Sequence, residues 1–197
     1  TVLFSDVRSF TTITEELGAQ GTVALLNEYF TIMVECVQKQ GGMLDKFIGD
    51  AMMAVFGLPV PHEDDEDRAV RAAITMVKEL RRWNGERAAA GKRPIDIGIG
   101  LNTGPATVGN FGSTQRLTYS CLGDEVNLAS RLEGLCKLYG VGLIIGERTS
   151  AAVPGLAGIE LDRVMVKGKT EPERITALLG DSDFASRAAF VELSKKQ

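Results

Sequence analysis

The stretch MLDKFIGDAMMAVFG, Met43 to Gly57, holds two apolar runs parted by Gly49-Asp50. Two strand-like runs joined by a two-residue break containing glycine read as a β-hairpin, which makes the sheet antiparallel where it can be read first. The turn carries an acid, Asp50, to a strand end. Upstream, TVLFSDV reads as another strand and delivers a second acid, Asp6, to its end. Neither acid has a basic residue directly beside it. Each could serve as a metal ligand, and Asp6 could instead cap the helix that follows. If strand Thr1–Val7 pairs beside the hairpin, the two carboxylates share one place and suit hard cations that prefer oxygen.

Outward from these strands the chain alternates. SFTTITEELG reads as a short helix ending at Gly18, with Ser9 or Thr11 as its cap, and TVALLNEYFTIMVECVQKQGG as a longer one whose apolar positions Leu26, Met33 and Val37 recur at helical spacing. HEDDEDRAVRAAITMVKELRRWNGERAAAG gathers acids in its first turns and bases towards its end, as a helix dipole favours. PIDIGIGLNTG, ATVGNFGS and QRLTYSCLG are strand-like, DEVNLASRLEGLCKLYG is helical, VGLIIG is a strand, and GIELDRVMVKGKTEPERITALLG ends the sheet as a hairpin. This order predicts an α+β domain, a ferredoxin-like antiparallel sheet with helices on one face, over residues 1–180. SDFASRAAFVELSKKQ is expected to add one helical tail over residues 181–197.

Composition narrows the function. With 197 residues and 44% hydrophobic content, one domain with a full core is expected. A net charge of −4 argues against nucleic acid as a partner, because phosphates need a basic face. Cys36, Cys121 and Cys136 show neither CxxC nor Cys/His spacing, so no disulfide framework or zinc site is suggested. There is no run of about 18 apolar residues, the length of a membrane span, and no direct membrane contact is expected. A cytoplasmic setting is expected, alone or as the cytosolic part of a larger or membrane-attached protein fused to a regulatory or sensory segment.

Five blocks, FSDVRSFT, DKFIGDAMMAVFG, GIGLNTG, YSCLGDEVNLASRLE and VMVKGK, resemble in order and approximate spacing the catalytic domain of class III adenylyl and guanylyl cyclases. The resemblance runs from Thr1 to about Leu179. It implies a ferredoxin-like fold, active sites between two domains facing head to tail, and two divalent cations, Mg²⁺ or Mn²⁺. The reaction it implies closes the ribose 3′-hydroxyl onto the α-phosphate and expels pyrophosphate. Carried over by position, Asp6, Asp50 and the Val7 carbonyl become metal ligands, with Phe10 and Thr11 at a helix start suited to phosphate. Asn127 becomes the ribose-orienting group and Arg131 the cation meeting charge on the α-phosphate. Lys167 becomes the triphosphate lysine, with Lys169 the second choice. Two departures stand out: Ser9 replaces a usual glycine before Phe-Thr, and Pro105 replaces a phosphate-binding arginine found in some relatives.

The same comparison places Lys46 and Ser120 at the purine. Adenine offers an acceptor at N1 and a donor at its 6-amino group, which an ammonium and a hydroxyl lone pair can meet, so ATP is favoured over GTP. A hydroxyl can also donate, which leaves the discrimination soft. In the head-to-tail arrangement one chain gives Asp6 and Asp50 while the other gives Lys46, Ser120, Asn127, Arg131 and Lys167. One chain carries all seven, so a homodimer with two shared sites is implied. The alternatives are a guanylyl cyclase, a non-catalytic module that kept fold and dimer face, and an unrelated metal-dependent nucleotide-binding domain. Loss of Asp6, Asp50, Asn127 or Arg131 would have favoured the module, and none is lost. The unrelated domain accounts for the two acids but not for the later blocks.

Overall fold

The computed structural model describes residues 1–165 and 171–195. Its first half is a βαββαβ unit: β1 (Val2–Val7), α1 (Phe10–Lys39), β2 (Met43–Ile48), β3 (Ala51–Val55), α2 (Asp65–Ala89) and β4 (Ile97–Asn102). These strands lie in the order β2-β3-β1-β4, which is the ferredoxin-like arrangement expected from the hairpin and the flanking helices. The sheet then extends through β7 (Leu143–Gly146), β9 (Glu173–Gly180) and β8 (Ala157–Val164). All its neighbouring strands run antiparallel except β4 and β7, which are parallel. A separate two-stranded ribbon is made by β5 (Thr107–Ser113) and β6 (Arg116–Leu122).

Alternation along β1 decides the layering. Leu3, Ser5 and Val7 point towards α1 and α2, where Leu3 and Val7 join Met33, Val37, Met52, Val70, Met76 and Ile99 in the main core. The one polar member, Ser5, is fully buried and bonds the Tyr29 hydroxyl at 3.0 Å, so its oxygen is not left dry. Helix α1 is interrupted at Gly18, whose φ of 65° and ψ of 179° are non-helical, where the sequence placed the junction of two helices.

The expectation of helices on one face holds for α1 and α2 but not for α3 (Asp124–Tyr139), which covers the opposite face. Val2, Met53, Val55, Ile144 and Ile175 meet Val126, Leu128, Ala129, Leu132 and Cys136 there. Two glycines of β4 make this contact possible. A Cβ on Gly100 would stand 2.2 Å from the Glu133 amide nitrogen and 2.4 Å from the Ala129 carbonyl oxygen, so the α3 backbone lies directly on that strand. Asn102 secures the start of the same helix, its side-chain amide donating to the Glu125 carbonyl at 3.0 Å and carboxylate at 2.7 Å.

After β7 comes the short α4 (Glu147–Ala152). The tail forms two short helices, α5 (Ser182–Ala185) and α6 (Ala188–Ser194), rather than the single one expected. The chain turns extended at Arg187, whose guanidinium lies 4.9 Å from the centroid of the Phe184 ring, while Asp181 caps α5 and pairs with Lys78 at 2.6 Å. Cys36, Cys121 and Cys136 are buried free thiols. Among the described residues no helix is long and apolar enough to cross a membrane.

Candidate active site

The two acids meet. Asp6, on the α3 side of β1, lies opposite Gly98 of β4, and Asp50 closes the turn between β2 and β3. The Asp50 carboxyl faces that of Asp6. Burial, then the hydrogen bond and charge of Asp6, push its pKa up to about 6. Asp6 is therefore not a helix cap: α1 starts at Phe10 with Ser9 as its N-cap.

A third carboxyl stands close by. Glu133 of α3 lies over Gly98, where a Cβ would come within 2.6 Å of its Oε1. Burial first, and then the charges of Asp6 and Asp50, raise its pKa to about 7 against the opposing charge of Arg8. Arg8 is itself held by the carbonyls of Ile97 and Val141, the former at 3.3 Å. Neither Glu133 nor Arg8 was a candidate from sequence, since nothing local in SRLEG shows that β4 lacks side chains beneath it. Among the described residues no three His, Cys, Asp or Glu are grouped closely enough to hold a metal. Two adjacent hard oxygen ligands, with Asp50 holding its proton more tightly than usual beside Asp6, fit Mg²⁺ or Mn²⁺, whose charge would replace that proton.

Beside the pair opens a cavity of about 620 Å³, lined by Asp6, Val7, Ser9, Glu133 and Lys137 among others. Ser9 is the one non-glycine residue with a positive φ, 56°, among the described residues. That left-handed conformation is one glycine adopts more readily, and the first turn of α1, starting at Phe10 and Thr11, has no side-chain cap hydrogen bond. Phe10 is half-buried against the main core while Thr11 is exposed.

The remaining predicted residues gather elsewhere. Lys46 Nζ donates to Ser120 Oγ at 3.2 Å, joining β2 to β6. A residue the sequence did not single out, Asp45, ties them together: Ser120 Oγ donates to Asp45 Oδ2 at 3.0 Å, and Lys46 Nζ stands 3.1 Å from the same oxygen. Asn127 and Arg131 are exposed one turn apart on α3, and Arg131 forms no ion pair among the described residues. None of Lys46, Ser120, Asn127 or Arg131 lines the cavity beside Asp6. Lys167 and Lys169 lie outside the described residues.

The chain belongs to the adenylate and guanylate cyclase catalytic domain family, whose model matches residues 1–176. An adenylate cyclase of Anabaena cylindrica is 36% identical over 179 residues, covering 87% of this chain and 35% of that protein. The crystal structure of the adenylyl cyclase CyaB from P. aeruginosa superposes with a TM-score of 0.84 at 37% identity, over 91% of this chain and 93% of that one. The guanylyl cyclase Cya2 superposes with a TM-score of 0.78 at 35% identity, over 91% of each chain. The chain spans 8% to 35% of the length of the first three curated adenylate cyclases it matches.

Proposed function

We propose that this domain converts ATP to 3′,5′-cyclic AMP and pyrophosphate at sites shared between two copies of the chain. The observation that carries the reading is the separation of the functional residues into two groups on one chain. Asp6 and Asp50 form one cluster, and Lys46 with Ser120 another. A site needing both clusters around one nucleotide is completed by a second copy facing the first head to tail. Apolar side chains exposed on β2 and on the ribbon, Phe47, Ile48, Leu117, Tyr119 and Leu122, supply a surface for that contact.

In this reading Asp6, Asp50 and the Val7 carbonyl hold two divalent cations, and the amides at Phe10 and Thr11 receive phosphate. The chemistry such cations supply is acidification of the 3′-hydroxyl and neutralisation of the triphosphate. The 3′-oxygen bonds to the α-phosphorus, the bond from that phosphorus to the bridging oxygen breaks, and the hydroxyl proton leaves with the solvent or pyrophosphate. Asn127 orients the ribose, Lys167 binds the triphosphate, and Arg131 meets negative charge as it grows on the α-phosphate. A cation that contributes mainly at that stage raises turnover rather than affinity. As the catalytic segment of a longer protein fused to regulatory parts, the domain would act in the cytoplasm.

Product identification tests this. Purified protein with Mn²⁺ and either ATP or GTP should release cyclic AMP and pyrophosphate from ATP, with GTP the poorer substrate. Cyclic GMP as the main product would move the assignment to guanylyl cyclase, the activity named for the similar Cya2 domain. No cyclic nucleotide from either would leave a non-catalytic module.

A further inference from the structure

Asp45 is a carboxylate with no solvent exposure, placed on a strand that also presents Lys46. Adjacent strand residues normally point to opposite faces. Here the pairing of β2 with β3 shifts between Leu44 and Lys46, so Asp45 is the extra residue of a β-bulge and its side chain converges with that of Lys46. Its Oδ2 receives both the Ser120 hydroxyl, at 3.0 Å, and the Lys46 ammonium, at 3.1 Å. Its other oxygen, Oδ1, is buried and has no hydrogen-bond partner among the described residues. A buried, half-satisfied carboxylate is a poor device for stability alone, since replacing such a group by an apolar one is often neutral.

Resting on the adenylyl cyclase reading, we infer that Asp45 is a positioning residue that fixes the hydrogen of Ser120 and thereby makes the base pocket selective for adenine. A carboxylate can only accept, so the single hydroxyl hydrogen of Ser120 is committed to Asp45. Ser120 Oγ then has only lone pairs to offer, one taken by Lys46 and one left for a donor. Lys46 spends one N–H on Asp45 and one on Ser120, leaving its third for an acceptor. The pair therefore presents one acceptor and one donor, the complement of the adenine 6-amino group and N1. Guanine places a carbonyl where adenine has its amino group, and a free hydroxyl could turn to donate to it. With its hydrogen held by Asp45 the hydroxyl cannot turn, and the carbonyl meets a lone pair.

The test compares ATP and GTP affinities by competition calorimetry on the dimer with Ca²⁺ present, and product formation is assayed separately. Asp45→Ala should lower the ATP-over-GTP affinity ratio about tenfold, the factor carried by one ordinary hydrogen bond. Asp45→Asn should keep most of the ratio, because its carbonyl oxygen must face the Lys46 donor and can still accept from Ser120. Ser120→Ala should lose the same factor, and Asp45→Ala added to it should lose no more. The thermal midpoint of each variant separates selectivity from folding. An unchanged ratio in a folded Asp45→Ala protein overturns the inference, and so does a further loss in the Ser120→Ala background, which would mean that Asp45 acts through Lys46 alone. Failure of wild-type protein to cyclise ATP would overturn the proposed activity instead, while the affinity ratios would still decide the role of Asp45.

Discussion

At the residue scale the candidate site turns on Asp50, whose carboxyl is crowded by burial and by the neighbouring Asp6. An acid whose folded pKa lies near 6, against about 3.8 in the unfolded chain, holds its proton more tightly when folded. Its stabilising contribution is present below about pH 4 and is lost as pH rises through 6. Without a divalent cation the pair therefore opposes folding at neutral pH. Asp50→Asn removes that repulsion, and the metal-free variant should melt higher than wild type at pH 7 by about 2–4 °C. This corresponds to about 1 kcal/mol after discounting for the solvent that still reaches Asp50. Below about pH 3.8 the difference should nearly vanish. Adding Mg²⁺ or Mn²⁺ at pH 7 should raise the wild-type midpoint and leave that of the variant in place. Equal metal stabilisation of both, read by scanning calorimetry, would show that the cations bind elsewhere.

At the element scale β4 and α3 show what the sequence disclosed and what it concealed. The hairpin at Gly49-Asp50, the break at Gly18 and the terminal hairpin were legible because each depends on local turn chemistry or periodicity. The side of the sheet taken by α3 was not, because it depends on glycines 98 and 100 of a different element leaving room for a helix backbone. Asp45 was hidden for a related reason: strict alternation sends it away from Lys46, and only the bulge brings them together. Gly100→Ala tests the packing. The added methyl would meet backbone atoms of Glu133 and Ala129, which cannot rotate away, so a loss of about 3 kcal/mol is expected in denaturant titration. Because α3 carries Asn127 and Arg131, cyclase activity should fall more steeply than the folded fraction. Gly85→Ala in the exposed part of α2 has no neighbour within 4 Å of its new Cβ and should gain up to about 1 kcal/mol. Equal effects of the two substitutions would refute close packing of α3 on β4.

At the scale of the whole molecule, one chain carries Asp6 and Asp50 in one place and Lys46 with Ser120 in another. The cavity beside Asp6 lacks Arg131 and the base-reading pair, so each chain is expected to lend its Asp6–Asp50 cluster to one site and its Lys46, Ser120, Asn127 and Arg131 to the other. A two-fold dimer of this kind makes a sharp genetic prediction. Asp50→Ala and Arg131→Ala proteins should each be nearly inactive alone, since every site in either homodimer lacks one essential group. In a mixed dimer, the site that takes its acids from the Arg131→Ala chain and its arginine from the Asp50→Ala chain is intact, while the other site lacks both. Random equimolar mixing makes about half the dimers mixed, each with one good site of two, so activity should recover to about a quarter of wild type. Cyclic AMP formation after mixing and re-equilibration measures this, and analytical ultracentrifugation shows whether dimers exist. Inactivity of the mixture despite exchange of subunits would place both residues in a site built by one chain, and the opposed arrangement would fall with it.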